Sequence, residues 1–263
     1  MRPSLSKILA ILGIYKIYEK WLGNQIKDGV KPNHIGIILD GNRRWAIRHG
    51  YKKWYGHRVG AKKLREVIGW INELGIKCVT VFVFSTENFN RPEEEVDKLM
   101  EILKDELNKA LNDEKLLNNG VKIKFIGDLS RFPDDIQKLA KDLEEKTRNN
   151  SSLIVNVALG YGGKWDIVNA TKKIIHQVIR GALSIDKITP EVFQKYLSTS
   201  HLPSQDVDLI LRTGGEMRLS NFLLWQAAYS ELVFLDIYWP EFRKIDLMRA
   251  IRIYQKRVRR FGK

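Results

Sequence analysis

Cysteine is almost absent from this sequence. Cys78 is the single cysteine among 263 residues, and it lies inside an apolar run. One cysteine cannot form an internal disulfide, which is typical of proteins in a reducing compartment, so we expect a cytoplasmic location. We interpret Cys78 as a small core residue. A run of the roughly 18 apolar residues that a membrane-spanning helix needs is also missing.

The motifs of several common site classes are missing as well. The phosphate-binding pattern G-x-x-x-x-G-K-[ST] does not occur, because Gly163-Lys164 is followed by Trp165. A G-x-G-x-x-G pattern after a strand, which would indicate dinucleotide binding, is not found either. The cysteine and the histidines are not spaced as zinc ligands. The polar segments that follow apolar runs are therefore the candidate sites.

Negative charge is scarce relative to positive charge. The sequence has 45 Lys and Arg against 31 Asp and Glu, so its net charge is +14. Such a balance favours anionic partners, which include nucleic acids, anionic lipid headgroups and phosphorylated small substrates. A basic nucleic-acid-binding protein is thus one alternative, although the sequence contains no recognised nucleic-acid-binding module.

Apolar runs with the length of strands alternate with segments of helical periodicity. The runs span residues 35–39, 78–84, 121–126, 153–159, 207–211 and 232–237, and the helical segments span 59–74, 96–110, 133–147, 164–179 and 245–259. This order predicts an α/β fold with a mainly parallel six-stranded sheet flanked by helices. The apolar stripe from Val96 to Ala110 either packs in the core or lines a cavity.

The first 30 residues form a separate amphipathic pattern. Leu5, Ile8 and Leu12 begin an apolar face that continues to Trp21 and Leu22, with lysines between them. We predict an amphipathic helical segment over residues 1–30, which packs on its own domain or lies on a membrane surface, and we favour the membrane surface. Residues 31–263 show no break in composition and are predicted to form one domain.

The first predicted strand ends in an acid, a glycine and two arginines. Asp40-Gly41-Asn42-Arg43-Arg44 follows the run at 35–39. Ligands of open α/β sheets bind at the carboxyl ends of strands, where guanidinium groups and backbone N–H groups suit phosphate oxygens. Asp40 suits a divalent cation that binds the phosphate. An ordinary turn is the alternative, because Asp-Gly-Asn is common in turns.

Two further strands end in polar segments that carry arginine. Arg91 follows the second run, and Arg212 and Arg218 follow the fifth. If the three segments meet, their arginines can neutralise two diphosphate groups beside the apolar surface of Phe84 and Phe89. A substrate with an anionic head and an apolar tail fits this combination.

Three segments together resemble one enzyme family. HIGIILDGNRRWA, FVFSTENFNRP and LILRTGGEMRLSNFLLWQAAYSEL are similar to motifs of the cis-prenyltransferases, the Z-type polyprenyl diphosphate synthases, over about residues 34–262. The resemblance implies a homodimer with an apolar product tunnel that adds isopentenyl diphosphate in cis to an allylic prenyl diphosphate, such as farnesyl or geranylgeranyl diphosphate. The long-chain product would be a lipid carrier precursor for glycosylation. A non-catalytic partner subunit of the family is the alternative, but such subunits lose the Asp40–Arg44 segment.

The resemblance also assigns roles to residues. Asp40 would hold Mg²⁺ together with Glu231, and Asn88 would assist removal of a proton from the isopentenyl unit. The residues implied in substrate binding are Gly41, Asn42, Arg43, Arg44, Trp45, Lys53, His57, Ser85, Thr86, Glu87, Phe89, Arg91, Arg212, Arg218, Leu219, Ser220, Arg260 and Gly262. Arg260 and Gly262 would reach the site of the partner subunit. Arg43 replaces the glycine of bacterial members, as in archaeal and eukaryotic ones, and Lys53 replaces an arginine, which removes a bidentate contact.

Overall fold

The structure is a computed structural model that describes residues 14–114 and 119–257. Residues 1–13 of the predicted N-terminal segment, and the predicted site residues Arg260 and Gly262, lie outside the described residues. Their roles therefore stay predictions.

Six parallel strands form one sheet in the order β3-β4-β2-β1-β5-β6. The strands are β1 (His34–Ile38), β2 (Cys78–Ser85), β3 (Val121–Ile126), β4 (Leu153–Tyr161), β5 (Leu209–Arg212) and β6 (Glu231–Phe234). Every residue of β1 and β5 is buried, because these central strands are covered on both faces. The predicted mainly parallel six-stranded sheet is confirmed.

Helices connect the strands and cover the sheet. They are α1 (Ile14–Ile26), α2 (Asn42–Arg48), α3 (Lys53–Glu73), α4 (Glu93–Leu111), α5 (Asp134–Lys146), α6 (Gly163–Ile179), α7 (Pro190–Gln194) and α8 (Lys244–Lys256). The predicted helix at 59–74 begins earlier, at Lys53, because its first turns pack directly on α2. A Cβ atom on Gly56 would lie 2.0 Å from the backbone oxygen of Asn42, so only glycine permits this approach.

The described part of the N-terminal segment packs on its own domain. Leu22 and Ile26 of α1 are fully buried in the core shared with α8. Two arginines within α8, and Arg243 just before it, lie over aromatic rings of α1. The guanidinium of Arg249 lies 5.0 Å from the centre of the Tyr18 ring. On the outer face of α1, Ile17 is 70% exposed and Trp21 is 46% exposed. Among the described helices we find none with the length and hydropathy to cross a bilayer.

Candidate active site

The three predicted polar segments meet at one edge of the sheet. β2, β1 and β5 are neighbours and run in the same direction, so their carboxyl ends lie side by side. Arg212 at the end of β5 donates from Nη2 to Oδ2 of Asp40, which follows β1, over 2.8 Å. The prediction that these loops converge is therefore confirmed for β1 and β5.

Asp40 lies between two guanidinium groups. Its second carboxylate oxygen, Oδ1, accepts from Nη2 of Arg44 at 3.0 Å, and the backbone N–H of Gly41 also donates to it. Burial raises the pKa of the Asp40 carboxyl, but the hydrogen bonds and charges of Arg212 and Arg44 outweigh this and lower it. Asp40 is therefore ionised at neutral pH, as a ligand for a cation must be.

Arg212 connects two of the loops from a buried position. Its side chain is only 5% exposed, and besides Asp40 it donates from Nη1 to Oγ of Ser220 at 2.7 Å and to the carbonyl oxygen of Arg218. One planar guanidinium thus fixes the loop after β5 against the end of β1.

A second pair of arginines shares one glutamate. Nη1 of Arg91 lies 3.0 Å from Oε1 of Glu95, and Nη2 of Arg43 lies 3.6 Å from its other oxygen. Burial, and then the charges of Arg91 and Arg43, lower the pKa of nearby His57 to about 4, so His57 is neutral at pH 7. Glu95 was not predicted as a site residue, and helical spacing does not indicate the pair, because Arg91 has an extended backbone before α4 begins.

Three buried polar atoms at this end of the fold have no hydrogen-bond partner among the described residues. They are Oδ1 of Asn42, Nε2 of His57 and Nε of Arg212, and all three residues line the same cavity. Buried polar atoms are nearly always paired in folded proteins. Their clustering in one cavity is the arrangement that a polar group of a bound ligand would complete.

The loop after β2 is held by its own backbone and by the loop after β5. Oδ1 of Asn88 accepts from the backbone N–H of Ser85 at 3.0 Å. Oε1 of Glu87 accepts from Nδ2 of Asn221 at 2.8 Å. Burial raises the pKa of Glu87, but hydrogen bonds from Asn221 and from its own loop outweigh this and lower it. The sequence prediction missed Asn221.

Asn221 and Ser220 both have left-handed backbone conformations, with φ of 64° and 49°. This conformation is uncommon outside glycine, and such residues often mark functional sites. Oδ1 of Asn221 also accepts from the backbone N–H of Lys164 at 2.9 Å, at the start of α6. Asn221 therefore joins three segments, and no sequence pattern indicates a contact of this kind.

A cavity of about 630 Å³ extends from Asp40 and Arg212 into the space between α3, α4 and the sheet. Its walls are mainly apolar, and α4 contributes Leu99, Leu103, Leu107 and Ala110. The apolar stripe on α4 was predicted either to pack in the core or to line a cavity, and these four residues line the cavity. Ile123, Leu143 and Val155 form the far end of the cavity, and all three are buried.

Several predicted site residues lie beside the cavity rather than on its wall. Gly41 has φ of 101° and packs on Tyr238. The fold therefore requires glycine at this position, because other residues rarely adopt this φ and a Cβ atom would clash with Tyr238. Arg218 pairs with Glu216 at 2.6 Å and is mostly exposed. Among the described residues, the predicted site residues that line the cavity are Asp40, Asn42, His57, Ser85, Glu87, Asn88, Arg91, Arg212 and Ser220. The predicted site residues that lie beside it are Gly41, Arg43, Arg44, Thr86, Phe89, Arg218 and Leu219.

Trp45 and Lys53, which were predicted to bind substrate, do not line the cavity. The ring of Trp45 packs on His49 and Tyr51, with centroid distances of 4.5 and 6.0 Å. Lys53 is exposed at the first turn of α3. The structure therefore gives neither residue a contact with the cavity.

Glu231, the second predicted metal ligand, lies far from the first. The parallel register aligns Glu231 with Leu209 and Leu209 with Ile35, at the amino-terminal end of the sheet. Asp40 lies five residues beyond Ile35, which corresponds to about 16 Å along the strands. Glu231 instead accepts from Nη1 of Arg257 at 2.5 Å. Within one chain, the expected metal site of Asp40 and Glu231 is therefore not formed.

Asp40 alone still suits a cation that is bound together with a phosphorylated ligand. In the described part of the chain there is no cluster of three or more His, Cys, Asp or Glu side chains that could hold a metal. Mg²⁺ commonly binds through one or two carboxylates plus substrate phosphate oxygens, and it keeps several waters. The donor set around Asp40 fits that mode and does not form a complete protein cage.

Comparison with known proteins identifies the family. Residues 38–262 match the family model of undecaprenyl diphosphate synthase. The chain is 48% identical over 249 residues to a Pyrococcus horikoshii protein, covering 95% of this chain and 94% of that one. It is 49% identical over 251 residues to a Methanocaldococcus jannaschii protein, covering 95% and 90%. Both relatives are named tritrans,polycis-undecaprenyl-diphosphate synthase (geranylgeranyl-diphosphate specific).

Comparison with a solved structure identifies the same family. The chain superimposes on lavandulyl diphosphate synthase from Lavandula x intermedia, in complex with dimethylallyl diphosphate, with a TM-score of 0.86 and 37% identity, covering 89% of this chain and 99% of that one. The chain therefore belongs to the cis-prenyltransferase family. It is a prenyltransferase that elongates prenyl chains in cis.

Proposed function

We propose that this chain adds isopentenyl diphosphate units in cis to geranylgeranyl diphosphate and makes a polyprenyl diphosphate of undecaprenyl length. The product would be a lipid carrier precursor for glycosylation, and one catalytic domain over residues 31–263 would make it. The observation that carries the proposal is the continuity of a polar end, with Asp40 and Arg212, and an apolar cavity of about 630 Å³. The names of the two archaeal relatives support geranylgeranyl diphosphate rather than farnesyl diphosphate as the starter.

Each cycle replaces a C–O bond with a C–C bond at the polar end of the cavity and releases one proton. The C–O bond of the allylic diphosphate breaks, and the diphosphate leaves with the electron pair. C1 of the allylic chain then bonds to C4 of isopentenyl diphosphate through the electrons of the C3=C4 double bond. C2 of the isopentenyl unit loses a proton to a diphosphate oxygen, and the electrons of that C–H bond form the cis C2=C3 double bond. Negative charge develops on the leaving group, so fixed guanidinium groups stabilise the transition state. The apolar wall keeps water from the carbocation.

The allylic diphosphate would bind against Asp40 and the start of α2. Arg43, Arg44 and His57 surround that position, and the unpartnered Nε2 of His57 is available to a phosphate oxygen. Asp40 would hold Mg²⁺ together with oxygens of this diphosphate. The ion would supply positive charge to the departing diphosphate.

The isopentenyl diphosphate would bind against the loop after β5. Arg212 and Ser220 line the cavity there, and Arg218 lies beside them. Asn88 lines the same cavity at the loop after β2. An amide is not basic at neutral pH, so Asn88 would assist proton removal by orienting the isopentenyl unit rather than by accepting the proton.

Product analysis tests the proposal directly. The purified chain, Mg²⁺ and labelled isopentenyl diphosphate are incubated with geranyl, farnesyl or geranylgeranyl diphosphate, and the products are separated by chain length. We expect the highest kcat/KM with geranylgeranyl diphosphate, and a product near undecaprenyl length. A higher kcat/KM with farnesyl diphosphate would contradict the proposed starter, whereas short products from every starter would contradict the proposed length.

We further propose that the enzyme is a homodimer. Val168, Ile175 and Ile179 are exposed on one face of α6, and a second copy of this chain would cover that face. In this arrangement Arg260 and Gly262 would reach the partner's site. Light scattering should show that Ile175→Glu is monomeric, whereas the control Ile17→Glu, on the exposed face of α1, should remain dimeric. A monomeric wild-type enzyme would refute the proposal.

We also propose that the enzyme is located in the cytoplasm and makes peripheral contact with an anionic membrane. Ile17 and Trp21 lie one helical turn apart on the outer face of α1, with exposed lysines beside them. Cosedimentation with vesicles that contain anionic lipid should decrease for the double variant Ile17→Glu/Trp21→Glu. The control is Ile185→Glu, at a 69% exposed position outside α1 and outside the proposed dimer face, and equal cosedimentation of all three proteins would contradict this contact.

A further inference from the structure

A charged pair interrupts the apolar wall of the cavity. Nη1 of Arg65 on α3 lies 3.1 Å from Oε2 of Glu106 on α4, and both residues line the cavity beside leucines and Ile102. Their side chains are 34% and 17% exposed, so the pair also reaches the surface. Ion pairs beside an apolar ligand are costly to desolvate and are not needed to bind a prenyl chain.

The wall is one side chain thick at Glu106 and Ile102. A small groove on the outer surface, with a volume of about 110 Å³, is lined by Trp54, Arg58, Asp105 and Lys109, among others. Ile102 and Glu106 line both this groove and the cavity. Among the described residues, the side chains of Ile102 and Glu106 therefore separate the cavity from the groove between α3 and α4.

In the part of the chain that the structure describes, the far end of the cavity offers no comparable route. Ile123, Leu143 and Val155 are each at most 4% exposed, and they belong to β3, α5 and β4, which pack closely on one another. Opening this end would require separating core elements of the fold, whereas opening the wall between α3 and α4 requires only side-chain rotation.

We infer that the Arg65–Glu106 pair closes a side port, through which the apolar chain of the product leaves the cavity once it has outgrown it. This inference rests on the proposed long-chain product. Both charges keep partners when the port opens. Glu106 remains paired with Lys109 at 2.8 Å, and Arg65 can turn outward toward Asp105 in the groove. The emerging chain would then lie on Trp54 and on the alkyl stems of Arg58 and Lys109.

The port can be blocked from outside without changing the cavity. Asp105→Cys places a thiol in the groove, and a bulky maleimide attached there would cover the outer opening. Asp142→Cys is the matched control, because it changes the same residue type at an exposed helical position outside the groove. Cys78 is buried and should not react. Each labelled protein is compared with its own unlabelled form.

We expect the labelled Asp105→Cys enzyme to lose the longest products and to accumulate shorter prenyl diphosphates, with an unchanged rate for the first condensation. The labelled Asp142→Cys enzyme should make the unlabelled distribution. Long products from both labelled enzymes would refute the port and leave the proposed product length intact. Shortened products from both labelled enzymes would also refute the port, because the effect would not depend on the groove. Short products from the wild-type enzyme would refute the proposed product length and the port with it.

Discussion

Asp40 and Arg212 form an ion pair of 2.8 Å that joins the ends of two adjacent parallel strands, β1 and β5. Asp40 suits the cation of one diphosphate, whereas Arg212 suits the second diphosphate directly. The pair therefore fixes the distance between the two proposed substrate positions before either substrate binds. A polar site that is preorganised in this way does not need to reorient its dipoles during the reaction.

Replacing the carboxylate of Asp40 should remove most of the activity. Asp40→Asn keeps the shape of the side chain but cannot bind a divalent cation strongly, and we expect kcat to fall by about 10²–10³-fold. The measurement is incorporation of labelled isopentenyl diphosphate at saturating Mg²⁺. The far-ultraviolet circular dichroism should remain that of the wild type.

The matched control for Asp40 is Asp142→Asn, which removes a carboxylate from an exposed position on α5. Its kcat should equal that of the wild-type enzyme. If Asp40→Asn retained wild-type turnover, then Asp40 would have no role in the reaction.

Arg212 should not be replaceable by lysine. A lysine ammonium cannot donate to Asp40, Ser220 and the Arg218 carbonyl oxygen from one rigid fork. Loss of one charge-assisted hydrogen bond costs about 1.5–3 kcal/mol, which corresponds to a roughly 10- to 150-fold decrease in kcat/KM for isopentenyl diphosphate. Steady-state kinetics with a fixed concentration of the allylic substrate measure this change.

Arg218→Lys is the comparison, because the Arg218 side chain is 63% exposed and pairs only with Glu216 among the described residues. Exposed ion pairs contribute little, so the kinetic effect should be smaller than that of Arg212→Lys. Equal effects of the two substitutions would show that burial of Arg212 does not matter.

Asn221 should act as a positioning residue for the loop after β2. Asn221→Asp places a carboxylate against Glu87 and removes the donor of their 2.8 Å hydrogen bond. Two carboxylates at this distance repel each other, and one of their pKa values rises. We expect kcat/KM to fall about tenfold at pH 8, which corresponds to about 1.4 kcal/mol, and part of the loss to be recovered at pH 6.

The readout that separates positioning from simple destabilisation is this recovery with decreasing pH. Asn24→Asp, at an exposed position of α1, is the control and should show the pH profile of the wild type. An Asn221→Asp enzyme with a uniform loss of activity from pH 6 to pH 8 would contradict the repulsion with Glu87.

The strands were predictable because a fully buried parallel strand is an unbroken apolar run. β3 has the same limits, residues 121–126, in the prediction and in the structure. The start of α3 was not predictable from periodicity, because Gly56 and Gly60 face α2 where an apolar pattern would show larger side chains. Contacts between distant segments replace the local signal there.

The site was predictable where it depends on sheet topology and not where it depends on loop geometry. The prediction placed Asp40 and Arg212 at the carboxyl ends of two parallel strands, and their proximity depends on the strand order, in which β1 and β5 are neighbours. The contact of Asn221 with Glu87 depends on two left-handed residues in one loop, which the sequence does not indicate. Glu231 was paired with Asp40 by family resemblance, and only the strand register shows that it lies at the opposite end of the sheet.

Acid should destabilise the fold through His34. This residue begins β1 and is fully buried, with its Nε2 2.7 Å from Oγ1 of Thr80. Burial lowers the pKa of His34 to about 4, although the nearby carboxylate of Asp208 opposes this shift, and His201 adds to it. Because the pKa is lower in the folded state, the unfolded chain binds the proton first. The stabilising contribution is therefore complete above pH 6.5 and is lost as the pH falls toward 4.

Urea unfolding at pH 7 and pH 5 measures this loss. Linkage between a pKa of 6.5 in the unfolded chain and about 4 in the folded chain predicts a decrease of about 2 kcal/mol in the free energy of unfolding from His34 alone. His34→Gln, which cannot titrate, should therefore lose about 2 kcal/mol less than the wild type over the same interval. His49→Gln replaces an exposed histidine and should follow the wild type. Since every carboxylate is shared by the three proteins, parallel losses in all of them would show that His34 does not titrate on unfolding.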